Sequence, residues 1–394
     1  MTAPRVTRKD FRYIVLGLGG LGSGAAYWLS RRAGGDVLGL EQFELGHVRG
    51  ESQDHSRIIR LSYHTPTYVR LAQRAYECWS MLAADAKEQV VLKTGGLDVA
   101  PRDAAIDLRT YTDSLTTCGV PFESLDAAEV MRRWPQWRLG DEHHGIYQSE
   151  SGIAMAARAN AAHQRMARAH GATLMERTAV GSVRSIDGEV EVTAGGQRYR
   201  CESLVIAAGP WSSPVLGQLG TDIPLEVTRE QVTYFRTPHP EAFAPDRFPI
   251  WIWMDDPSFY GFPIFGEAAT KAARDAGGPA VTADTRSFDP DPAQERAVEQ
   301  FLGRYLPDAL GPVLYTKTCL YTLTPDRDFV IDRLPTHPNI WTAIGAGHAF
   351  KFASVIGRIL SELAMDGSTP SDISPFTITR PILQMKNPPK NYMQ

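Results

Sequence analysis

Cysteine is scarce in this sequence, and the four that occur are scattered. Cys78, Cys118, Cys201 and Cys319 show neither the close spacing of a zinc site nor that of a disulfide framework. Free thiols are typical of a reducing compartment. We therefore expect a cytoplasmic protein without structural disulfides and without a metal centre.

Segments dense in lysine or arginine, and long apolar runs, are also missing. The formal net charge is −4 with charges of both signs spread along the chain, which makes nucleic acid and anionic membranes poor candidate partners. No stretch approaches the roughly 20 apolar residues of a membrane-spanning helix, and the polar residues 1–10 do not read as a targeting signal. What remains is a chain of 394 residues, 43% hydrophobic, long enough for two domains or one elaborated domain.

The clearest local pattern lies near the start of the chain. A short apolar strand at 12–16 is followed by a helix-like run, and the two are joined by glycines at GxGxxG spacing, namely Gly17, Gly19 and Gly22. A second apolar strand at 37–40 ends at Glu41. Strand, glycines, helix and acid in this order are the fingerprint of a dinucleotide-binding βαβ unit. A glycine-rich turn in another α/β protein is the alternative, and it does not explain Glu41.

Each part of this fingerprint has a physical role. Gly17 would form the tight turn, Gly19 would let the backbone approach a pyrophosphate, and Gly22 would let helix and strand pack closely. The helix N-terminus offers free N–H groups to the anion. Glu41 would accept hydrogen bonds from ribose hydroxyls, which disfavours NADP and its extra phosphate.

Later segments distinguish FAD from NAD. A strand at 203–208 runs into Gly209, and another at 339–344 runs into a loop that contains Gly347, followed by a helix from 350 to 365. A simple nicotinamide domain would be contiguous within about 150–200 residues. Because these features are spread along the chain, we expect FAD, which lies extended through a protein that returns to it repeatedly. Strands are also predicted at 172–180 and 189–192, around a polar turn.

A series of motifs then runs through nearly the whole chain. They are GLGGLGSGAAYWL with Glu41, SRIIRLSY at 56–63, KTGGL at 93–97, RWPQW at 133–137, AAGPWS at 207–212, YGFPIFG at 260–266, TCLYTLTPDRDFVID at 318–332, GHAFKF at 347–352 and DISPFTITRP at 372–381. In combination and in order they resemble the monomeric sarcosine oxidase and N-methyltryptophan oxidase family of D-amino-acid-oxidase-like flavoproteins.

The resemblance implies an α/β fold with a discontinuous Rossmann-like FAD-binding domain and a substrate domain built on a mainly antiparallel β-sheet. The expected FAD-binding domain comprises residues 8–89, 151–225 and 319–385, and the substrate domain comprises 90–150 and 226–318. The aromatic segment 248–263 predicts two strands around a turn, as such a sheet requires.

The resemblance also implies how the cofactor is held. The family attaches FAD through a thioether on the 8α-methyl group of the ring, and Cys319 matches the attaching cysteine. That chemistry needs a thiol beside the ring edge with positive charge nearby to favour the thiolate; a buried structural cysteine is the alternative. Arg57 matches an arginine beside the flavin ring. Further cofactor contacts are expected at Ser52, Val180, Gly209, Gly347 and Lys351.

Two cations of the family hold the substrate carboxylate, and they match Arg60 and Lys351. A guanidinium forks onto a carboxylate with two parallel bonds. The alternatives are an ion pair with a nearby acid for Arg60 and an exposed helix position for Lys351. Tyr260 and Tyr321 match tyrosines that line the substrate pocket, with plain core packing as the alternative.

Lys271 matches the family's oxygen-activating lysine, which contacts flavin N5 through water. A fixed cation at that point stabilises superoxide as it forms, so Lys271 would mark an oxidase. The alternative is a surface helix over 267–278, which is rich in alanine.

Three positions depart from the sarcosine oxidase pattern. Gln53 and Asp275 stand where it has histidines, and Ala349 replaces a glycine. We expect Gln53 to contact the substrate. Asp275 would either favour a substrate with a second positive group or point outward. These changes argue against sarcosine itself as the substrate.

The implied activity is that of an FAD-dependent amine oxidase. A small secondary amino acid, N-methyl or cyclic, would be oxidised to an imine that hydrolyses, while O2 is reduced to H2O2. We expect the amino acid and O2 as partners of a monomer, with a dimer as the alternative. Two other functions stay open: a biosynthetic flavin dehydrogenase that forms an imine with another electron acceptor, and a non-catalytic flavin-carrying assembly or tRNA-modification protein, against which the pair of Arg60 and Lys351 argues.

Overall fold

The computed structural model describes residues 8–391 and contains nineteen strands and eight α-helices in that range. Residues 1–7 of the polar N-terminal stretch, and residues 392–394, lie outside the described range. The strands are β1 (Asp10–Leu16), β2 (Val37–Leu40), β3 (Arg57–Ile59), β4 (Val91–Lys93), β5 (Gly96–Pro101), β6 (Glu123–Asp126), β7 (His143–Gln148), β8 (Gly152–Ala154), β9 (Thr173–Met175), β10 (Val180–Ile186), β11 (Glu189–Ala194), β12 (Gln197–Ile206), β13 (Glu226–Phe235), β14 (Ile250–Trp253), β15 (Phe259–Phe262), β16 (Thr270–Arg274), β17 (Val313–Leu323), β18 (Val330–Leu334) and β19 (His337–Ile344). The helices are α1 (Gly20–Ala33), α2 (Pro66–Ala86), α3 (Leu108–Thr117), α4 (Ala127–Arg133), α5 (Ala156–Ala169), α6 (Ser212–Gly217), α7 (Pro292–Tyr305) and α8 (Ala353–Asp366).

The first sheet is built on five parallel strands in the order β19, β12, β1, β2 and β9. The strands β10 and β11 extend β12 as antiparallel hairpins, and β18 pairs antiparallel with β19. The helix α1 connects β1 to β2 and packs against α5 and α8. Strand β2 is buried along its whole length, as expected of a parallel strand covered on both faces. This confirms the Rossmann-like part of the predicted fold.

Parallel strands bring distant glycine loops to one edge of this sheet. The strands β1, β12 and β19 end immediately before Gly17, Ala207 and Gly345. Because their carboxyl ends point the same way, the three loops meet where α/β sheets bind ligands. The loops at Gly17 and Gly345, which are more than 300 positions apart in the sequence, therefore contribute to one surface.

One strand prediction needs correction. The segment 172–180 is not a single strand, because β9 ends at Met175 and β10 begins at Val180. Between them the chain turns, with Arg177 at a φ of 51°. The first piece extends the parallel sheet beside β2, while the second starts an antiparallel hairpin with β11. The two pieces thus lie on opposite edges of the sheet.

The second sheet has the order β17, β13, β16, β15, β14, β5, β7 and β6 and is antiparallel except between β14 and β5. The aromatic segment forms β14 and β15 around a turn, as predicted. A third sheet of three short strands, β3, β8 and β4, lies apart from the other two. Strand β17 runs through the predicted boundary at 318/319 without a break, and the domain boundaries remain a prediction.

The surface-helix alternative for 267–278 is wrong. Strand β16 lies between β13 and β15, which pair Lys271 with Tyr234 and with Phe262. Alanine-rich sequence favours a helix locally. Hydrogen bonding to strands on both edges outweighs that preference, because strand formation depends on the neighbours a residue packs against. Lys271 is consequently buried, with 3% of its surface exposed.

Candidate active site

A cavity of about 510 Å³ lies where the glycine loops meet. Among the residues predicted to hold the cofactor, those that line it are Gly17, Gly19, Glu41, Ser52, Val180 and Gly209. Ser52 accepts a hydrogen bond from the Gly20 N–H at 2.7 Å, at the first turn of α1. The cavity therefore lies against the N-terminus of α1, which favours an anionic group.

Glycine is required at two positions of this loop. Gly17 has a φ of 86°, which side-chain-bearing residues rarely adopt. A Cβ atom at Gly22 would lie 1.8 Å from the Gly17 carbonyl oxygen. Both observations agree with the predicted tight turn and close helix–strand contact, so the loop has the geometry of a dinucleotide cradle.

Glu41 is buried at the end of β2 and is held by the backbone. Its carboxylate accepts hydrogen bonds from the Leu18 N–H at 2.9 Å and the Phe43 N–H at 3.1 Å. Burial alone would raise its pKa, but hydrogen bonding from His47 and from the backbone lowers the pKa overall. The Oε2 atom, which within residues 8–391 accepts only from the Leu18 N–H, keeps a second lone pair, so Glu41 can still accept from a ribose hydroxyl.

A second cavity, of about 120 Å³, adjoins the first. The two share Gly20, Leu21, Glu51, Ser52 and Gly345 in their walls. Eight of the predicted site residues line this second cavity: Ser52, Arg57, Arg60, Tyr260, Lys271, Tyr321, Gly347 and Lys351. We call it the substrate cavity.

Glu51 lies in the wall that the two cavities share. Its Oε1 atom is buried and has no hydrogen-bond partner among residues 8–391. Burial raises the pKa of this carboxyl to about 7. A buried polar atom without a partner is costly, and a ligand that spans both cavities could satisfy it. An extended cofactor such as FAD therefore fits the site.

Arg60 lines the substrate cavity. It also forms an ion pair with a nearby acid, which was the alternative to substrate binding. Its Nη1 atom lies 3.4 Å from Asp98 Oδ1, and the Asp98 Oδ2 atom accepts a hydrogen bond from Ser62 at 2.6 Å. Burial disfavours the charge on Arg60, but Asp98 and the neighbouring Tyr63 raise the pKa of the guanidinium overall. Its Nε atom has no partner within the described residues. The side chain is charged and keeps donor capacity.

Asp275 does not point outward. It lines the substrate cavity and forms an ion pair with Arg327 Nη2 at 2.8 Å. Tyr321 also donates to it at 3.4 Å. The charge of Arg327 neutralises that of Asp275. The expectation that Asp275 favours a substrate with a second positive group therefore loses its physical basis.

Lys351 differs from Arg60 and Arg327, because no acid among residues 8–391 pairs with it. It lines the substrate cavity, and its Nζ atom has no ion-pair partner in the part of the chain that the structure describes. Burial, followed by the Arg60 charge, lowers its pKa to about 7. With Arg60 matched by Asp98 and Arg327 matched by Asp275, the charge left over at this end of the cavity is that of the Lys351 ammonium. One monoanionic group would balance it.

Lys271 lies elsewhere in the same cavity wall and is fully paired. Its Nζ atom lies 2.7 Å from Asp54 Oδ2 and donates to the Ser56 carbonyl and hydroxyl at 3.0 and 3.1 Å. Its ammonium also lies 4.5 Å from the centre of the Phe262 ring. Buried and paired on three sides, this cation has a fixed position.

Cys319 is buried on β17, with 8% of its surface exposed. It lines a small pocket with Gln53, Asp54 and Lys317, and Arg57, Tyr260 and Tyr321 connect that pocket to the substrate cavity. The predicted thiolate is not the resting form. Burial raises the thiol pKa to about 12, and the nearby Arg57 only partly opposes this.

Two predicted residues have surroundings that the sequence did not indicate. Gln53 does not line the substrate cavity; its side-chain amide donates to the Thr318 carbonyl at 2.9 Å, next to Cys319. Arg57 donates to the backbone carbonyls of Ser56 and Glu51, both at 2.9 Å. These bonds fix its guanidinium between the cysteine pocket and the substrate cavity.

Sequence reasoning missed several ionisable residues of the site, namely Glu51, Asp54, Asp98, His348 and Arg327. Each lies in or beside a motif that was recognised, such as SRIIRLSY, KTGGL or TPDRDF. Charge inside an otherwise apolar motif was the available signal. What the sequence did not show was which cation each acid would meet.

Residues 8–391 contain neither a helix that could span a membrane nor a cluster of metal-binding side chains. None of the helices there is both long and apolar enough to cross a membrane. No group of three or more metal-binding side chains gathers in that range.

Known proteins resemble this chain over most of its length. Residues 12–363 match the DAO family, described as FAD dependent oxidoreductase. A monomeric sarcosine oxidase from Arthrobacter sp. (strain TE1826) is 32% identical over 96% of this chain and 98% of its own. An N-methyl-L-tryptophan oxidase from Salmonella arizonae is 29% identical over 93% of this chain and 98% of its own. The solved structure of NikD, an unusual amino acid oxidase of nikkomycin biosynthesis, superimposes with a TM-score of 0.83 at 25% identity, covering 94% of this chain and 97% of NikD.

The family match therefore agrees with the glycine cradle, the buried Glu41 and the adjoining cation-lined cavity. This protein belongs to the DAO family of FAD dependent oxidoreductases.

Proposed function

We propose that the protein oxidises the C–N bond of a small secondary amino acid, N-methyl or cyclic, and passes the electrons to O2. The observation that carries the proposal is the Lys351 ammonium, which has no acid partner among the described residues, beside Arg60 and Arg327, whose charges are matched by Asp98 and Asp275. Relatives named for sarcosine and N-methyl-L-tryptophan support the same substrate class.

Arg60 and Lys351 would hold the substrate carboxylate. Arg60 supplies directional N–H donors and Lys351 supplies the uncompensated charge. Burial raises the pKa of Tyr260 and of Tyr321, so both stay neutral and can donate hydrogen bonds without adding charge. The apolar side chains of Ile58, Ile252 and Phe262 complete the wall and would face the carbon end of the substrate.

FAD, when bound, supplies the two-electron acceptor. Gly17, Gly19 and Glu41 would hold its nucleotide end, and Arg57 would lie beside its ring. The imine product needs only water for hydrolysis. Lys271, a buried cation in the cavity wall, would stabilise the negative charge that develops on oxygen during reoxidation.

Covalent attachment through Cys319 is part of this proposal. The thiol lies in a pocket that shares Arg57, Tyr260 and Tyr321 with the substrate cavity, which supports its place beside the ring edge. Because its pKa is raised, the thiol must lose its proton during attachment, and Arg57 is the nearby charge that favours the anion.

A monomeric state and a cytoplasmic location complete the proposal. The four cysteines, all within the described range, are free, which supports a reducing compartment.

The carboxylate assignment predicts a pH-dependent affinity for carboxylate inhibitors. An anion binds the ammonium form of Lys351, so wild-type affinity should be greatest below about pH 7 and fall as the free lysine loses its proton above it. Lys351→Gln should bind the inhibitor at least about tenfold more weakly at pH 6, since a desolvated charge pair is lost. Titration of the flavin spectrum measures both. Lys351 is a better target than Arg60, because Arg60→Ala would also leave Asp98 buried without its cation.

The surface variant Lys93→Gln serves as the control, because Lys93 pairs with Glu150 on the exterior. It should bind as the wild type does. Any pH dependence that persists in Lys351→Gln would belong to Glu51, whose pKa is also about 7. Unchanged affinity and an unchanged pH profile in Lys351→Gln would place the carboxylate elsewhere.

The oxygen assignment predicts an unequal effect on the two half-reactions. Lys271→Met should slow reoxidation by O2 by roughly two to three orders of magnitude, while anaerobic reduction by the amine changes little. Stopped-flow absorbance measures each half-reaction separately. The control is Arg274→Met on the same strand, because Arg274 does not line the substrate cavity. Equal slowing of both half-reactions, or no slowing, would remove Lys271 from the oxygen site.

Covalent attachment predicts where the yellow colour goes when the protein is precipitated with acid. In the wild type it should stay with the pellet. In Cys319→Ser it should move to the supernatant, while Cys118→Ser, changed at another free cysteine, should behave as the wild type. Colour wholly in the wild-type supernatant would show that Cys319 forms no link.

A further inference from the structure

Asp54 has a backbone conformation that side-chain-bearing residues rarely adopt. Its φ is 92°, in the region where glycine is favoured. The side chain is nonetheless buried, with 4% of its surface exposed. Strained backbone that persists at a cavity is a reason to look for function in the side chain.

The Asp54 carboxylate connects three strands of the second sheet. Tyr234 on β13 donates to its oxygens at 2.8 and 2.9 Å, and Lys317 on β17 lies 3.3 Å away. The closest partner is Lys271 on β16, at 2.7 Å. Burial alone would raise the pKa of Asp54, but Lys271 and Arg57 hold it well below its usual range. The carboxylate is therefore ionised at neutral pH.

The surroundings of Lys271 favour the protonated form of its amine. The ammonium has three N–H groups, and its three partners are the Asp54 carboxylate, the Ser56 carbonyl and the Ser56 hydroxyl. A carboxylate and a carbonyl can only accept hydrogen bonds. A neutral amine could donate to both and accept from the Ser56 hydroxyl, but it would lose the charge that attracts the Asp54 carboxylate at 2.7 Å.

We propose that Asp54 is a positioning residue that keeps Lys271 protonated and aimed at the substrate cavity. This rests on the proposed role of Lys271 in oxygen reduction. Asp54 itself does not line the substrate cavity and acts through the lysine.

The other groups around Lys271 do not replace this charge. The charged and titratable neighbours are Arg57 near the start of β3, Tyr234 on β13, and Lys317 and Cys319 on β17. Arg57 and Lys317 are cations, and the Cys319 thiol is neutral because burial raises its pKa to about 12. Burial, opposed by Asp54, lowers the pKa of Lys271 to about 8. Without Asp54 the lysine would lose its proton at a lower pH.

Two variants separate the charge from the backbone strain. Asp54→Asn removes the charge at nearly constant shape, and Asp54→Gly removes the carboxylate while relieving the strained φ. Asp187→Gly is the matched control, because Asp187 also has a positive φ, of 50°, and is exposed in the β10–β11 turn. If Asp54→Asn does not fold, Asp54→Gly carries the test.

The first readout is the pKa of Lys271, independent of turnover. The chain has eight lysines, so ¹³C-labelled lysine in the holoenzyme gives a tractable NMR spectrum, and Lys271→Met assigns the signal. The pKa of Lys271 should fall by roughly one to three pH units in both Asp54 variants, since a contacting opposite charge is lost. It should not change in Asp187→Gly.

The second readout is the rate of reoxidation by O2 as a function of pH. The wild-type rate should hold at low pH and decline as Lys271 deprotonates. In Asp54→Asn the decline should begin at a lower pH, and acidification should restore the rate. A rate reduced equally at every pH, or an unchanged pKa of Lys271, would overturn the inference.

The two proposals fail in different ways. If Lys271→Met reoxidises like the wild type, the oxygen role of Lys271 is wrong, and the inference about Asp54 falls with it. If Lys271→Met is slow but the Asp54→Asn profile superimposes on that of the wild type, the oxygen role stands and Asp54 has no part in it.

Discussion

Removing a cation from water costs several kcal/mol unless a carboxylate or polar partners replace the lost solvation. The substrate cavity meets this constraint by pairing Arg60 with Asp98 and Arg327 with Asp275, and by holding Arg57 on two backbone carbonyls. Lys351 is the exception. Because it has no such partner within the described range, its charge is available to an anionic ligand such as a carboxylate.

The same constraint explains why the site needs all three sheets. The glycine loops of the first sheet provide a cradle without side chains, and the second sheet provides Lys271, Tyr260 and Cys319 from three of its strands. The short third sheet places Arg57 at the start of β3, where it adjoins both the cysteine pocket and the substrate cavity. Without the segments that flank β3, the second sheet would leave Lys271 without Asp54 and Asp98 without Arg60.

Sequence reasoning was sufficient for features that depend on local pattern. The turn at Gly17 and the strand–helix contact at Gly22 follow from the spacing of neighbouring residues, and the structure has both. The alanine-rich segment around Lys271 was ambiguous, since composition favours a helix while burial between two strands decides otherwise. Resemblance to a family, not propensity, indicated that Lys271 belongs to the cavity wall.

Partnerships between distant residues were beyond the sequence. Asp98 and Arg60 are 38 positions apart, and Asp54 meets Lys271 only because a loop and a strand converge. The sequence does not indicate that Arg327 will neutralise the charge of Asp275. These pairings decide the charge of the cavity, so the chemistry of the site could be read only from the fold.

The central claim is that a free carboxylate on a secondary amino acid is what the cavity recognises. It is tested most directly by mixing the oxidised enzyme anaerobically with a panel of N-methyl and cyclic amino acids, each beside its methyl ester, and following the flavin absorbance. We expect at least one acid to bleach the flavin and its ester, which lacks the anion, to do so far more slowly or not at all. Equal bleaching by an acid and its ester, or bleaching by simple amines alone, would contradict the account.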